Sequence, residues 1–166
     1  MPEKRFCPFC GHLLQKRMYE GRMRLFCSRC RLPIYENPVP AACVVVADSH
    51  KRVLLVKRRV DPRAGTWCLP GGFLELDETP EEGALRELRE EAGLEAEDPH
   101  LLGILTNPSD EYHTVLVIGY LVRRFRGRPR PGDDAEAVRW FSLDRLPEVA
   151  FSSHRRFLEM ASEILT

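Results

Sequence analysis

The chain has 166 residues, 43% of them hydrophobic and 30% charged, the balance of a soluble globular protein with room for one domain and a small appendage. Its 25 Lys+Arg offset its 25 Asp+Glu, which excludes wrapping of DNA through bulk charge. The longest apolar run, Ala41–Ala47, is far short of the about 20 residues of a membrane span, and Met1–Cys7 lacks the apolar core of a secretory signal, so a cytoplasmic protein is expected.

Charge and cysteine content divide the chain near residue 36. Residues 1–36 carry eight Lys/Arg and three Glu, a net of +5, and four of the six cysteines. Cys7-Pro8-Phe9-Cys10 and Cys27-Ser28-Arg29-Cys30 are two CxxC knuckles with sixteen residues between them. Each knuckle can aim two thiolates at one ion, and two of them close a four-thiolate site, the structural pattern for Zn²⁺. Disulfides do not suit a chain without a secretory signal, and a redox CxxC belongs at a helix start in a larger fold. A segment this small needs the metal to fold. Leu13–Phe26 is predicted as two short strands turning at Glu20-Gly21. The cations, near the turn and knuckles, are expected to face water. Cys43, in an apolar strand, is expected to be a small buried hydrophobe.

Arg31–Pro40 holds three prolines and is predicted as a stiff extended connection. Strands are predicted over Ala41–Asp48 and Val53–Arg58, and Ala64–Leu69 then leads into Pro70-Gly71-Gly72. A helix is predicted over Pro80–Ala92. Thr79 with Glu82 makes a capping box, Pro80 takes the first helical position, and Gly93 stops the helix. At about 100° per residue, Glu87, Glu90 and Glu91 fall in one sector, and Ala84, Leu85, Leu88 and Ala92 in the adjoining one. Arg86 flanks the acids and relieves only part of their repulsion. A hard divalent cation, Mg²⁺ or Mn²⁺, is the natural compensator, with Glu75 and Glu78 adding oxygens on the glycine-rich loop. Further on, His100–Thr106 and Tyr112–Phe125 are predicted strands with a turn over Asn107–Tyr112. Ser153–Leu165 is a helix with Phe157, Leu158 and Ile164 inward. None of the five histidines has paired ligand spacing, and none is assigned catalysis.

Gly72–x5–Glu78–x7–Arg86-Glu87-Leu88-x-Glu90-Glu91-x-Gly93-Leu94 matches the Nudix box at all nine fixed positions of its 23 residues. The chain from about Asn37 onward resembles the Nudix hydrolases, with Trp67–Gly72 and Glu136–Phe141 similar to their flanking segments. The resemblance implies an α/β fold, an α/β/α sandwich on a mixed sheet over residues 37–166, preceded by a zinc ribbon over 1–36. It implies Mg²⁺- or Mn²⁺-dependent hydrolysis of a nucleoside diphosphate-linked small molecule. The metal ligands it implies are Glu87, Glu90 and Glu91, with the Gly71 carbonyl and Glu78 further candidates, while Arg86 orients the acids. Glu90, Glu91 or an acid of the Gly132–Glu136 stretch, Glu136 among them, is the expected proton acceptor.

A ribbon ahead of such a domain resembles two subgroups. The SQPWPFPxS run of the NADH pyrophosphatases is absent after the box. Tyr35-Glu36-Asn37-Pro38 is similar to the segment of a subgroup acting on ADP-ribose or FAD. The alternatives are an NADH pyrophosphatase, a triphosphate or nucleic-acid-end hydrolase using the basic ribbon, and a sensor that only binds. Degenerate sensors lose box glutamates, and all are present here. The ribbon is also a candidate homodimer interface.

Overall fold

The computed structural model describes residues 4–165. Met1–Glu3 and Thr166, at the outer ends of the two expected units, lie outside the described residues. The first elements are β1 (Gln15–Tyr19), β2 (Arg22–Cys27) and β3 (Leu32–Ile34), an antiparallel sheet in that order. Glu20 and Gly21 both have positive φ, the conformation a two-residue hairpin turn needs. The sequence does not predict β3. Pro33 argues against a strand there, but β3 is the sheet edge, where a missing N–H leaves no broken ladder bond. This sheet has its own small core of Cys7, Leu14, Cys27 and Ile34.

The main body runs β4 (Val39–Val46), β5 (Arg52–Arg58), β6 (Trp67–Cys68), β7 (Gly71–Phe73), α1 (Pro80–Ala92), β8 (Glu95–Ala96), β9 (His100–Ser109), β10 (His113–Val122), β11 (Phe125–Arg126), β12 (Ala135–Ser142) and α2 (Ser152–Leu165). The central sheet is mixed. In the order β7-β4-β10-β9, β4 and β10 are parallel and the outer pairs antiparallel. A second antiparallel sheet has the order β12-β5-β6.

Strand periodicity assigns the two faces. Ala42, Val44, Val46, Leu54 and Val56 pack with Ala84, Leu88 and Ala92 of α1. Cys43, Val45, Ala47, Val53 and Leu55 pack with Phe157, Leu158 and Ala161 of α2. Burial on both faces explains why β4 and β5 read as unbroken apolar runs rather than alternating ones. The result is the expected α/β/α arrangement. Among the described residues no helix is long and apolar enough to cross a membrane.

Two boundaries and one inward-facing residue differ from the sequence expectation. β9 continues through Asn107-Pro108 to Ser109, because it is an edge strand on which proline is tolerated. The strand expected to reach Phe125 ends at Val122, and Phe125 starts the short β11 paired to β8. Ile164 is exposed, and Leu165 packs on the core in its place.

One histidine is structural. His154 of α2 is buried, and its Nδ1 accepts from the Leu69 backbone N–H at 3.1 Å. Burial, with Arg58 nearby, lowers its pKa to about 3. The unfolded chain therefore takes up a proton near pH 6.5 that the folded chain refuses, and stability present above that pH is lost as pH falls toward 3. By pH 5 this group alone removes about 2 kcal/mol. Urea titrations at pH 7 and 5 should show that loss in the wild type. They should show it reduced in His154→Asn, which keeps an acceptor but does not titrate; equal losses in both would refute the assignment.

Candidate active site

Helix α1 begins as its sequence dictates. Thr79 Oγ1 accepts from the Glu82 N–H at 3.3 Å, and Glu82 Oε2 accepts from the Thr79 N–H at 2.8 Å. Gly93 closes the helix in the left-handed region. This fixed frame puts Glu87, Glu90 and Glu91 beside the Gly71-Gly72 turn of β7.

The turn needs glycine at Gly71, where backbone fills the space of a side chain, whereas a Cβ on Gly72 would push the Glu87 carboxylate aside. A Cβ on Gly71 would meet the Ala42 carbonyl oxygen at 2.4 Å, and one on Gly72 would meet Glu87 Oε1 at 2.4 Å. The Gly71 N–H donates to Glu91 Oε2 at 3.0 Å, which ties the turn to the helix. Glu91 is only 7% exposed, and burial raises its pKa to about 7, with the Glu87 charge adding to the effect. Burial also raises the pKa of Glu87.

Arg86 organises the rest. Its Nε and Nη2 donate to the two oxygens of Glu78 at 2.9 and 2.8 Å. Its Nη1 bridges Glu87 Oε1 at 2.8 Å and Glu90 Oε2 at 2.9 Å. Nη2 also donates to the Phe73 carbonyl at 3.1 Å. All five guanidinium N–H groups are thereby used. The fork holds the Glu78 carboxyl down at about 2. Lysine offers one point charge in place of a fork. Arg86→Lys should cost about 2 kcal/mol in urea unfolding without added divalent ions. An unchanged midpoint would show that the guanidinium does not hold these acids.

The charges do not balance. Glu78, Glu87 and Glu90 share one guanidinium, and Glu91 lies beside them on the Gly71 N–H, with Arg58 and Asp133 acting on it at longer range. Oxygen donors in excess of internal cations suit a hard divalent ion, and the glycine turn lets backbone join them. The three helix glutamates are not drawn into one tight cluster. Among the described residues the four cysteines alone form a group of three or more metal-ligating side chains mutually within 4.8 Å.

The remaining expected acid lies elsewhere. Glu136 is half-exposed and pairs with Lys57 at 3.1 Å. Asp133, in the same loop, adds negative charge against both Glu87 and Glu91. Its loop docks on the end of α1, where the Gly132 N–H donates to the Glu91 carbonyl at 3.2 Å. Sequence reasoning names the stretch but not Asp133, whose one signal is a polar turn after Pro131-Gly132. Cys43 and Cys68 are buried beneath the site, and burial pushes the Cys68 thiol up to about 12.

The cysteine group is a second centre. Cys7 and Cys30 sulfurs lie 3.9 Å apart, and Cys10 and Cys27 sulfurs 3.6 Å apart. No disulfide joins any of them. A tetrahedron with metal–sulfur bonds of about 2.3 Å has sulfur–sulfur edges of about 3.8 Å, so the four thiols fit Zn²⁺.

Comparison with known proteins places this arrangement. The NUDIX domain family model matches residues 37–161. An ADP-ribose pyrophosphatase of Methanocaldococcus jannaschii is 36% identical over 74% of this chain and 72% of its own. An NAD-capped RNA hydrolase NudC of Vibrio vulnificus is 27% identical over 88% of this chain, which spans about half (54%) of that relative. Among solved structures, a NUDIX hydrolase from Nitrosomonas europaea is similar at a TM-score of 0.77 and 29% identity, covering 96% of this chain and 92% of that one. The NUDIX domain of Shewanella oneidensis NrtR, solved with ADP ribose, has a TM-score of 0.71 at 27% identity, covering 80% and 91%. With the box, the sandwich and these relatives in agreement, the chain belongs to the Nudix family and is a Nudix pyrophosphohydrolase.

Proposed function

We propose that this chain hydrolyses the diphosphate linkage of a nucleoside diphosphate sugar of the ADP-ribose type, with Mg²⁺ or Mn²⁺. The observation that carries the reading is the gathering of three carboxylates on one guanidinium, with a fourth, buried Glu91, held beside them by the glycine turn. The substrate class is supported by the ADP-ribose pyrophosphatase relative and by the ADP ribose held in the NrtR domain.

In this reading Glu87, Glu90 and Glu91 hold the divalent ion, with the Gly71 carbonyl and Glu78 in support. Bound Mg²⁺ neutralises phosphate oxygens and lowers the pKa of water. Arg86 fixes the carboxylates in place before substrate arrives. Glu91, buried and tied to Gly71, is a fixed ligand. Glu90 takes the proton of the attacking water, a role supported by its being the most exposed of the three at 39%. The water oxygen bonds to one phosphorus, the bridging P–O bond breaks, and the leaving phosphate oxygen carries away the electron pair. ADP-ribose would yield AMP and ribose 5-phosphate. Residues 37–166 form the hydrolase unit. Residues 1–36 form a ribbon held by structural Zn²⁺ on Cys7, Cys10, Cys27 and Cys30.

The test is a substrate panel of ADP-ribose, FAD, NADH, diadenosine polyphosphates and 8-oxo-dGTP, each with Mg²⁺ or Mn²⁺ and with products identified. ADP-ribose should lead in kcat/KM. A lead for NADH or 8-oxo-dGTP would replace the reading with one of those activities.

A further inference from the structure

The cations of the N-terminal sheet face water as expected, except the half-buried Arg24, but several of them are gathered on one side. Opposed residues of an antiparallel pair share a face, and so do alternate residues along each strand. The pairings Gln15↔Phe26, Arg17↔Arg24 and Tyr19↔Arg22 therefore put three arginines and two aromatics on one side. The other side presents Cys27 and Ile34 to the cysteine core.

On the open side, arginines and rings are interleaved. The Arg17 guanidinium carbon sits 4.9 Å from the centre of the Phe26 ring, and that of Arg24 4.9 Å from Tyr35. The Tyr19 and Phe26 rings are 5.8 Å apart, with Phe26 as the buried floor. A cleft of about 390 Å³ opens here, lined by Gln15, Arg17, Tyr19, Phe26, Ser28 and Arg31. Among the described residues no carboxylate forms an ion pair with Arg17, Arg22, Arg24 or Arg31. Arg24 Nε is buried without a hydrogen-bond partner. Glu20, at the hairpin turn, accepts from the Tyr35 hydroxyl at 3.1 Å.

A solvated charged face needs no rings, and an apolar docking face needs no arginines. Guanidinium planes and aromatic rings together on an exposed sheet suit a ligand that alternates phosphates with flat, unstacked bases. A duplex hides its bases from such a face. We propose that this face binds single-stranded nucleic acid, with Arg17, Arg22, Arg24 and Arg31 on phosphates and Tyr19 and Tyr35 receiving bases. It is a binding surface separate from the hydrolytic site and independent of the substrate proposed above.

The test uses the full zinc-loaded chain and fluorescence anisotropy with labelled RNA and DNA oligonucleotides of one sequence, roughly 12 nucleotides long. Heparin and phosphatidylserine vesicles serve as base-free anions. Binding should be saturable, and a log–log salt slope of about −2 to −3 is expected for three or four neutralised phosphates. The double variant Arg17→Gln/Arg24→Gln should weaken it at least about tenfold and flatten that slope by about 1.4. Tyr35→Ala should weaken it about tenfold without changing the slope. Both variants should keep one zinc per chain and wild-type hydrolysis of ADP-ribose, so loss of binding is separable from misfolding and from failure of the hydrolase reading. A preference for RNA would assign the occupant as RNA, and equal binding would assign single strands of either sugar. Absence of binding, affinity unmoved by these variants, or heparin or vesicles matching the oligonucleotides would overturn the proposal.

Discussion

Replacing Glu90 or Glu91 with glutamine will lower kcat for divalent-ion-dependent hydrolysis by at least about 10³-fold and leave stability intact. The two halves of this expectation have different causes. Glutamine keeps the shape and one carbonyl oxygen. The amide at position 91 can therefore still accept from the Gly71 N–H, and the amide at position 90 from Arg86. Each substitution also removes a negative charge from an over-charged cluster, so folding loses nothing. What is lost is anionic oxygen for the metal and, at Glu90, the acceptor for the proton of water. Steady-state kinetics with thermal unfolding of the same samples checks both. Activity within tenfold of wild type in both variants would dismiss the assigned roles.

Removing zinc will unfold the N-terminal sheet and spare the hydrolase unit. The sheet's own core is four residues, two of them cysteines, too little apolar surface for a chain of this length to stay folded alone. Structural zinc contributes about 10–16 kcal/mol to comparable small modules, so metal binding and folding are expected to be one event here. Cys27→Ser, or a strong chelator, should collapse the amide signals of residues 4–36 in a two-dimensional NMR spectrum. Signals of α1 should stay in place, and Mg²⁺-dependent turnover should persist. An N-terminal sheet that survives with no bound metal would show that its packing suffices.

Much of this is legible in the sequence because the deciding physics is local. The capping box, Pro80 and Gly93 delimit α1 to the residue, and helical rotation alone brings Glu87, Glu90 and Glu91 onto one face. The two CxxC knuckles likewise carry their own geometry. What escapes depends on distant partners. Pro108 and Pro33 speak against strands, and only the sheet order, which puts both on edges, makes them acceptable. Parallel pairing of β4 with β10 has no local signature. Asp133 faces the helix acids because its loop docks on the end of α1, whereas Glu136, three residues on, is drawn to Lys57 across the β12–β5 pair. The arginine–aromatic face is hidden in the same way, since it is the register between β1 and β2 that gathers its residues.

The central claim is that the acids of α1 exist to hold a divalent cation. A titration of the protein with Mn²⁺, following free ion by electron paramagnetic resonance, tests it without reference to any substrate. The wild type should take up at least one ion beyond the zinc site, and Glu87→Gln/Glu90→Gln/Glu91→Gln should take up none. Equal uptake by both proteins, or none by a wild type that still hydrolyses its substrate, would contradict it.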